Sequence, residues 1–480
     1  MKQVVIVGAN HSGISAAVHL SKNPEFKVTL LEASDFISFV GAEALLWVLG
    51  IIKDPSHMGY TNPKKIQAKG IDLRLNSPVV DLDFVHKSLT YLDLNALETD
   101  SNVSISSQTP SAETPIPDGG VAQDTAKTTI TFASTIDPAI IANPGVPTKI
   151  IKYDYLILAT GSRPLLPAIE NTHHKYTQTV KNLHDGKALK HLADNPDIQS
   201  VAVIGGGYIG VETAEALAHV GKKVTIYQSD SQLLTGFYDS EIIELLHNRL
   251  LEHHVQIKLN HRVDSLDDIE ADAFIFALGF RANTALGGEQ IARLDLAHCY
   301  LVDEFQKTNQ PQVYAIGDCA SSFNNVTREP TYYALGSNTS TTALIAAHHI
   351  MGIKTPNLGR QGANAIDVFN LKLCSVGITL QTALANGMKA DASTCMDQLK
   401  QEDFIENNSQ VHISVVYETE TNRLLGVQLA SDTDVSEILH LFSLAIQEGL
   451  TLEHLKYLDM FFHPTLNKLY NFVIKALHFV

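Results

Sequence analysis

Positive charge is scarce in this 480-residue chain: 35 Lys and Arg stand against 52 Asp and Glu, a formal net charge of -17. Phosphate-backbone binding needs clustered Lys and Arg, and no such cluster appears, so a nucleic-acid partner is excluded. Long apolar runs are also missing. No uninterrupted stretch reaches the roughly 18 residues that a membrane-spanning helix requires. Cysteine is rare, with Cys299, Cys319, Cys374 and Cys395 too far apart in sequence to form a C-x-x-C pair. That spacing signals neither a zinc site nor a local dithiol, and predicts small buried side chains instead. No H-E-x-x-H motif occurs, and no metal is expected. The chain enters an apolar run directly after Met1-Lys2-Gln3 with no export signal, which predicts a cytoplasmic protein.

What remains is 45% hydrophobic and 18% charged, the balance of a globular protein with large cores. Two segments repeat one pattern of apolar strand, glycine turn, amphipathic helix and second strand. The first runs from Val4 through Gly8 to a helix from about Gly13 and a strand at Lys27–Leu31. The second runs from Val201 through Gly205 to a helix from about Tyr208 and a strand at Lys223–Tyr227. Each is a right-handed βαβ unit of a parallel sheet. Between them, Ser101 to Thr125 is rich in Ser, Thr, Pro, Asp and Gly, and predicts a flexible insertion at about 97–126, flanked by strands at Ser88–Leu94 and Thr128–Ala133. After about residue 352, alternation such as Val411 to Tyr417 predicts an antiparallel sheet, with helices near 434–448 and 466–478.

The second glycine turn, Gly205-Gly206-Gly207-Tyr208-Ile209-Gly210, is a full G-x-G-x-x-G. Gly205 permits the tight turn, Gly207 lets backbone approach a pyrophosphate, and Gly210 allows close helix–strand packing. The helix N-terminus then offers unpaired N–H groups to the phosphates. The first turn, Gly8-Ala9-Asn10-His11-Ser12-Gly13, carries Asn10 at the middle glycine position, and Glu32 ends its second strand. That carboxylate can accept hydrogen bonds from a ribose diol. Its counterpart in the second unit is Gln228, which can bond a ribose hydroxyl but does not repel a 2′-phosphate. The choice leans to NADH and leaves NADPH open.

On these residues a resemblance becomes visible. Lys152 to Pro164, with Ala159-Thr160-Gly161-Ser162-Arg163, resembles the strand and turn that close the FAD domain of the pyridine nucleotide–disulfide oxidoreductases. Ala271 to Gly279 with Arg281-Ala282-Asn283-Thr284 is similar to that family's return from the NAD domain. Val313 to Asp318 resembles its second FAD motif, and Met460-Phe461-Phe462-His463-Pro464 its dimer-interface segment. The matches follow family order over nearly the whole chain. They imply an α/β fold: two doubly wound dinucleotide-binding domains, for FAD and NAD(P)H, plus a C-terminal α+β dimerisation domain. The expected boundaries are 1–165 and 285–350 for FAD, 166–284 for NAD(P)H and 351–480 for dimerisation, in a homodimer.

The resemblance is nearest to the NADH oxidases, NADH peroxidases and coenzyme A-disulfide reductases, through His11 and Asp35 to Phe39. Those relatives continue L-S-C-G, with a redox-active cysteine. This chain reads Val40-Gly41-Ala42-Glu43, so Ala42 stands at the cysteine position. Alanine cannot be oxidised, which closes thiol-based peroxide or disulfide reduction there. Cys319 is the one other cysteine that could substitute. The resemblance implies Gly8, Asn10, Gly13, Glu32, Thr160, Gly161, Arg163 and Asp318 at FAD, and Gly205, Gly207, Tyr208, Gly210, Glu212, Gln228 and Gly279 at NAD(P)H. His11, Glu43 and, across the dimer, His463 are the catalytic candidates, His11 as a positive charge and Tyr208 as a cover for the flavin face. Three functions follow: an NADH oxidase reducing oxygen to hydrogen peroxide, an NADH-dependent reductase of a quinone or other acceptor, or a non-catalytic flavin-binding scaffold.

Overall fold

A computed structural model describes residues 1–55, 58–96, 146–166, 169, 176–401 and 408–478. The flexible insertion and the strand expected at Thr128–Ala133 lie outside these residues. Two five-stranded parallel sheets dominate. The first has spatial order Val313–Ala315, Tyr155–Leu158, Lys2–Val7, Phe26–Leu31, Asp72–Arg74. The second has Gln256–Lys258, Lys223–Tyr227, Ser200–Ile204, Ala273–Phe276, Thr177–Thr179. In each, the strand before the glycine turn lies at the centre. Its apolar run is buried because helices or further strands cover both faces of a parallel sheet.

Helix His11–Leu20 follows the first turn and helix Tyr208–His219 the second. The first begins two residues before the expected Gly13, because Asn10 is already extended and serves as the N-cap. Helix Gly41–Val48 carries Ala42 beside the first turn and packs against helix Leu183–Asp194. Strand Ser88–Leu92 pairs with Val79–Asp83 on one side and with Thr148–Lys152 on the other.

The C-terminal region is an antiparallel sheet in the order Asn364–Val368, Leu371–Gly377, Leu424–Ser431, Gln410–Glu418, Ala390–Gln398. Among the described residues its helices are Leu380–Ala385, Leu439–Gln447, Leu452–Lys456 and Phe472–His478. The last starts six residues later than the expected 466, because the Asn471 side chain accepts from the backbone N–H groups of Val473 and Ile474 and so sets the start there. The preceding segment leaves Tyr457, Phe461, Leu466, Leu469 and Tyr470 exposed. Among the described residues no helix is long and apolar enough to cross a membrane.

Candidate active site

The two glycine turns place the site. A Cβ on Gly8 would sit 2.2 Å from the Ala159 carbonyl oxygen, and one on Gly205 would sit 2.3 Å from that of Ala277. Both glycines adopt φ near +105° to +109°. Glycine is therefore fixed twice over, by space and by backbone. At the middle position Asn10 and Gly207 are both extended, so Asn10 needs no special conformation. A Cβ on Gly207 would meet no protein atom within 4 Å. Neither helix start receives a side-chain cap, and neither first turn is acidic, so both sets of N–H groups face outward with their positive dipole ends.

A cavity of about 500 Å³ opens from the first turn. Gly8, Asn10, Glu32, Thr160, Gly161, Arg163, Asp318 and His11 all lie in its wall. Gly13 lies just behind it, where a Cβ would stand 1.8 Å from the Gly8 oxygen. Glu32 is held ready: it accepts from Ala9 N at 2.6 Å, Ser34 N at 3.0 Å and Ser34 Oγ at 2.7 Å. The Thr160-Gly161 turn is locked to the return segment. Thr160 Oγ1 donates to the Asn283 carbonyl at 2.6 Å, and Asn283 Nδ2 donates back to the Thr160 carbonyl at 3.0 Å. Arg163 reaches Asn283 Oδ1 at 3.2 Å.

Asp318 accepts from Ser162 Oγ at 2.9 Å and pairs with Lys181 Nζ at 3.4 Å. Lys181 also lies 4.4 Å from the centre of the Phe280 ring. Sequence reasoning missed Lys181, because no motif surrounds it and only the tertiary fold brings it beside Asp318. Asn283 stood within a quoted motif, but nothing in the sequence showed that it binds the opposite turn.

His11 lies between this cavity and a second of about 540 Å³, which also takes in Ile14, Val18, Val40 and Tyr60. Its ring stacks on Tyr60 at 5.4 Å. Burial pushes its pKa below the ordinary value, more strongly than Asp318 raises it. Burial therefore works against the expected positive charge in this geometry. Ala42 is exposed at the second residue of its helix. Glu43 accepts from Gly59 N at 2.5 Å and thereby holds the loop that carries Tyr60. Cys319 does not replace the missing sulfur. It is wholly buried, with Sγ 3.3 Å from the Leu158 carbonyl and 3.2 Å from that of Ile316, and burial raises its pKa.

In the second unit, Gln228 Oε1 accepts from Gly206 N at 2.9 Å, as Glu32 does from Ala9. Its Nε2 donates to Asp230 Oδ2 at 3.0 Å, so a carboxylate stands where the sequence reading found no negative charge. Gly210 packs as Gly13 does, with its Cβ position 1.9 Å from the Gly205 oxygen. Gly279 has φ +95° and accepts from Leu165 N at 2.9 Å. Tyr208 does not line the flavin-side cavity; Ile209 does. Its ring packs edge-on against Phe237 at 4.8 Å, and its hydroxyl meets Tyr238 at 3.1 Å and Asn364 of the C-terminal sheet. Glu212, one turn on, has its pKa pushed up to about 7 by burial and then by Glu215. His463 is exposed on the apolar C-terminal segment, with Nδ1 2.8 Å from Thr465 Oγ1 and outside the two cavities described above.

The family model for pyridine nucleotide-disulphide oxidoreductases matches residues 2–337, and that family's dimerisation domain matches 365–471. The chain belongs to this family. As a member it is an FAD-dependent oxidoreductase. It is 32% identical to an NADH oxidase of Streptococcus pyogenes serotype M6, covering 99% of each chain. It is 24% identical to an NAD(P)H coenzyme A polysulfide/persulfide reductase of Pyrococcus horikoshii, covering 96% of this chain and 95% of that one. In structure it is similar to the water-forming NADH oxidase of Lactobacillus brevis bound to NADH, with TM-score 0.86, 24% identity and coverage of 100% and 98%.

FAD fits the first unit by the test of its own residues. The uncapped helix start suits a diphosphate, Glu32 keeps acceptor capacity for a ribose diol, and Asp318 with Lys181 lines the far wall. When bound, FAD takes a hydride from a reduced pyridine nucleotide and hands two electrons to an acceptor.

Proposed function

We propose that this chain is an NADH oxidase that releases hydrogen peroxide: NADH + H⁺ + O₂ → NAD⁺ + H₂O₂. The observation that carries the reading is Ala42. The Lactobacillus brevis enzyme is described as water-forming, and carrying peroxide on to water needs a nucleophile that attacks it and is oxidised in turn. Here the corresponding helix start presents a methyl group, and the buried Cys319 offers no thiolate. The chain's own residues bind and shield. Gly8, Gly13, Glu32, Thr160, Gly161, Arg163 and Asp318 hold FAD, while Gly205, Gly207, Gly210, Gln228 and Gly279 hold NADH. His11, whose charged form burial disfavours, donates or accepts a hydrogen bond at the border of the two cavities, and Glu43 fixes the loop behind it.

NADH is favoured over NADPH because Asp230 sets a negative charge beside Gln228, against a 2′-phosphate. Residues 1–165 and 285–350 form the FAD part, 166–284 the NADH part and 351–480 the dimerisation part. The exposed apolar segment around Phe461 and His463 pairs two copies and brings His463 toward the partner's site. The reading places the protein in the cytoplasm, where NADH is supplied. A second reading, reduction of a quinone-like acceptor, is favoured by the second cavity, which is far larger than dioxygen and walled largely by apolar groups.

The test is steady-state oxidation of NADH with oxygen consumed and peroxide formed counted together. About one peroxide per oxygen supports the reading. Oxygen consumed with no peroxide released defeats it. Turnover with a quinone far above that with oxygen selects the second reading, and a bound flavin that NADH does not bleach anaerobically points to a scaffold.

A further inference from the structure

The helix that follows the second glycine turn is gripped along one face by a hairpin of the C-terminal sheet. Tyr208 and Glu215 lie two turns apart on helix Tyr208–His219 and share that face. At the first turn, the Tyr208 hydroxyl donates to Asn364 Oδ1, on which the Tyr238 hydroxyl at 3.3 Å and the Ser375 hydroxyl at 3.2 Å also converge. Asn364 is itself aimed by its Nδ2, which donates to the Gly362 carbonyl at 2.7 Å. At the third turn, Glu215 accepts from the backbone N–H of Phe369 at 2.6 Å.

Phe369 and Asn370 form the two-residue turn of the hairpin, closed by the Val368–Leu371 pair. Both have positive φ, +47° and +68°. Such a turn suits Asn and Gly, and a bulky aromatic in this conformation is strained. Strain of this kind persists only where surroundings impose it. The nucleotide-binding region supplies three such contacts to Phe369: Glu215 on its N–H, Arg249 Nη1 on its carbonyl at 2.7 Å, and His253 stacked on its ring at 3.9 Å. The same hairpin sends Ile366, Val368, Leu371 and Leu373 into the core that holds Val211 and Ala214 of the helix.

We propose that Asn364 and the Phe369–Asn370 turn seat this helix, so that the C-terminal domain sets how tightly the chain holds its pyridine nucleotide. Asn364 and Phe369 are positioning residues. They act on the helix whose first-turn N–H groups face the diphosphate, and a displacement there weakens every one of those bonds at once. The inference rests on the reading that the second unit binds NADH.

The experiment measures NAD⁺ binding to the FAD-loaded enzyme by calorimetry, with KM and kcat for NADH and the flavin content alongside. Asn364→Leu and Tyr208→Phe both break the Tyr208–Asn364 contact, and Asn364→Leu also removes the acceptor of Tyr238 and Ser375. Each is expected to raise the NAD⁺ dissociation constant at least fivefold. The double variant should weaken binding by less than the two single effects combined, since the Tyr208–Asn364 contact is common to both. Asn364→Leu should raise KM in step while kcat and flavin content stay within twofold of wild type, a split that general loosening of the fold does not produce.

Glu215→Leu provides a second variant, which removes the acceptor of the Phe369 N–H and leaves the hairpin itself unaltered. A tip that is only a turn predicts unchanged binding, and a seat predicts weaker NAD⁺ binding. Unchanged NAD⁺ affinity in both Asn364→Leu and Glu215→Leu overturns the inference while leaving the NADH reading intact. A wild-type enzyme that shows no saturable NAD⁺ binding overturns the NADH reading and the inference with it.

Discussion

The two glycine turns share a backbone and diverge in what surrounds it. Gly8 matches Gly205, Gly13 matches Gly210, and the would-be Cβ contacts agree within 0.1 Å at each position (2.2 against 2.3 Å, 1.8 against 1.9 Å). The residue that starts each helix differs. His11 faces two cavities, whereas Tyr208 turns away into a polar node with Tyr238 and Asn364. The strand-end acceptors differ as well: Glu32 brings its own charge, while Gln228 borrows that of Asp230. Backbone geometry therefore makes both places fit for a diphosphate, and the side chains around it decide which dinucleotide binds and what happens next.

Separating the two turns gives the largest expected effect. Gly13→Ala drives a methyl group into the Gly8 carbonyl, and Gly210→Ala does the same to Gly205. Neither backbone can yield without moving its helix, at about 1–3 kcal/mol of overpacking. Gly13→Ala should strip FAD from the purified protein. Gly210→Ala should leave FAD in place and raise KM for NADH by tenfold or more. If either change removes both nucleotides alike, the turns are not independent sites.

A smaller change should move nucleotide choice. Asp230→Asn removes the charge beside Gln228, and Gln228→Arg adds an attractive one. The pair together should shift the ratio of specificity constants toward NADPH by about tenfold, a difference of roughly 1.4 kcal/mol. Asp230→Asn with an unchanged ratio would show that this carboxylate lies away from the ribose.

How much of this could be read in the sequence follows from the range of each interaction. Strand Lys223–Tyr227 and the start of helix Tyr208–His219 fall where the sequence pattern puts them, because apolar period and glycine spacing are local signals. Lys181 beside Asp318, Asp230 beside Gln228 and the turned-away Tyr208 were not legible. The first joins residues 137 apart, the second depends on the turn after a strand, and the third on an asparagine 156 residues away. The burial of His11, which works against a positive charge there, was not legible for a related reason. Its burial comes from Tyr60 and from helix Gly336–Ile350, whose Gly336, Thr339 and Ser340 line the second cavity with it, which no local pattern reports.

Glu212 gives a pH handle on the second turn that the first lacks. Its pKa rises from an ordinary 4.5 to about 7 because burial and the neighbouring Glu215 disfavour the charge. A carboxyl with a raised folded pKa holds its proton more tightly when folded. Its contribution is therefore fully present below about pH 4.5 and is lost as pH rises through 7. Glu212→Gln should raise stability at pH 8 by about 1 kcal/mol, less than the full shift implies because the side chain keeps some solvent contact. The gain should vanish near pH 4.5. Chemical denaturation of both forms at the two pH values measures it, and a gain that is equal at both would exclude ionisation as the cause.

The smallest expected effect, and the most diagnostic for chemistry, lies beside the first turn. Ala42→Cys puts a sulfur at the second residue of helix Gly41–Val48, where the uncapped N-terminus favours a thiolate. A thiolate there can attack hydrogen peroxide, form a sulfenic acid and release water, with a second NADH supplying the electrons that restore it. Peroxide released per oxygen consumed should then fall below the value of about one expected for the native chain, but only partly. Burial disfavours the charged form of His11 and so weakens it as a positive partner for the new thiolate, while Glu43, one residue on, places a negative charge beside it. Glu43→Gly removes that charge and should lower the peroxide yield further in the Ala42→Cys background, provided the Gly59 loop stays in place. Anaerobic addition of peroxide should speed NADH oxidation only in the cysteine-bearing variants. If peroxide speeds it in the native chain, a group other than a thiol at position 42 is doing this work, and the peroxide-forming assignment falls.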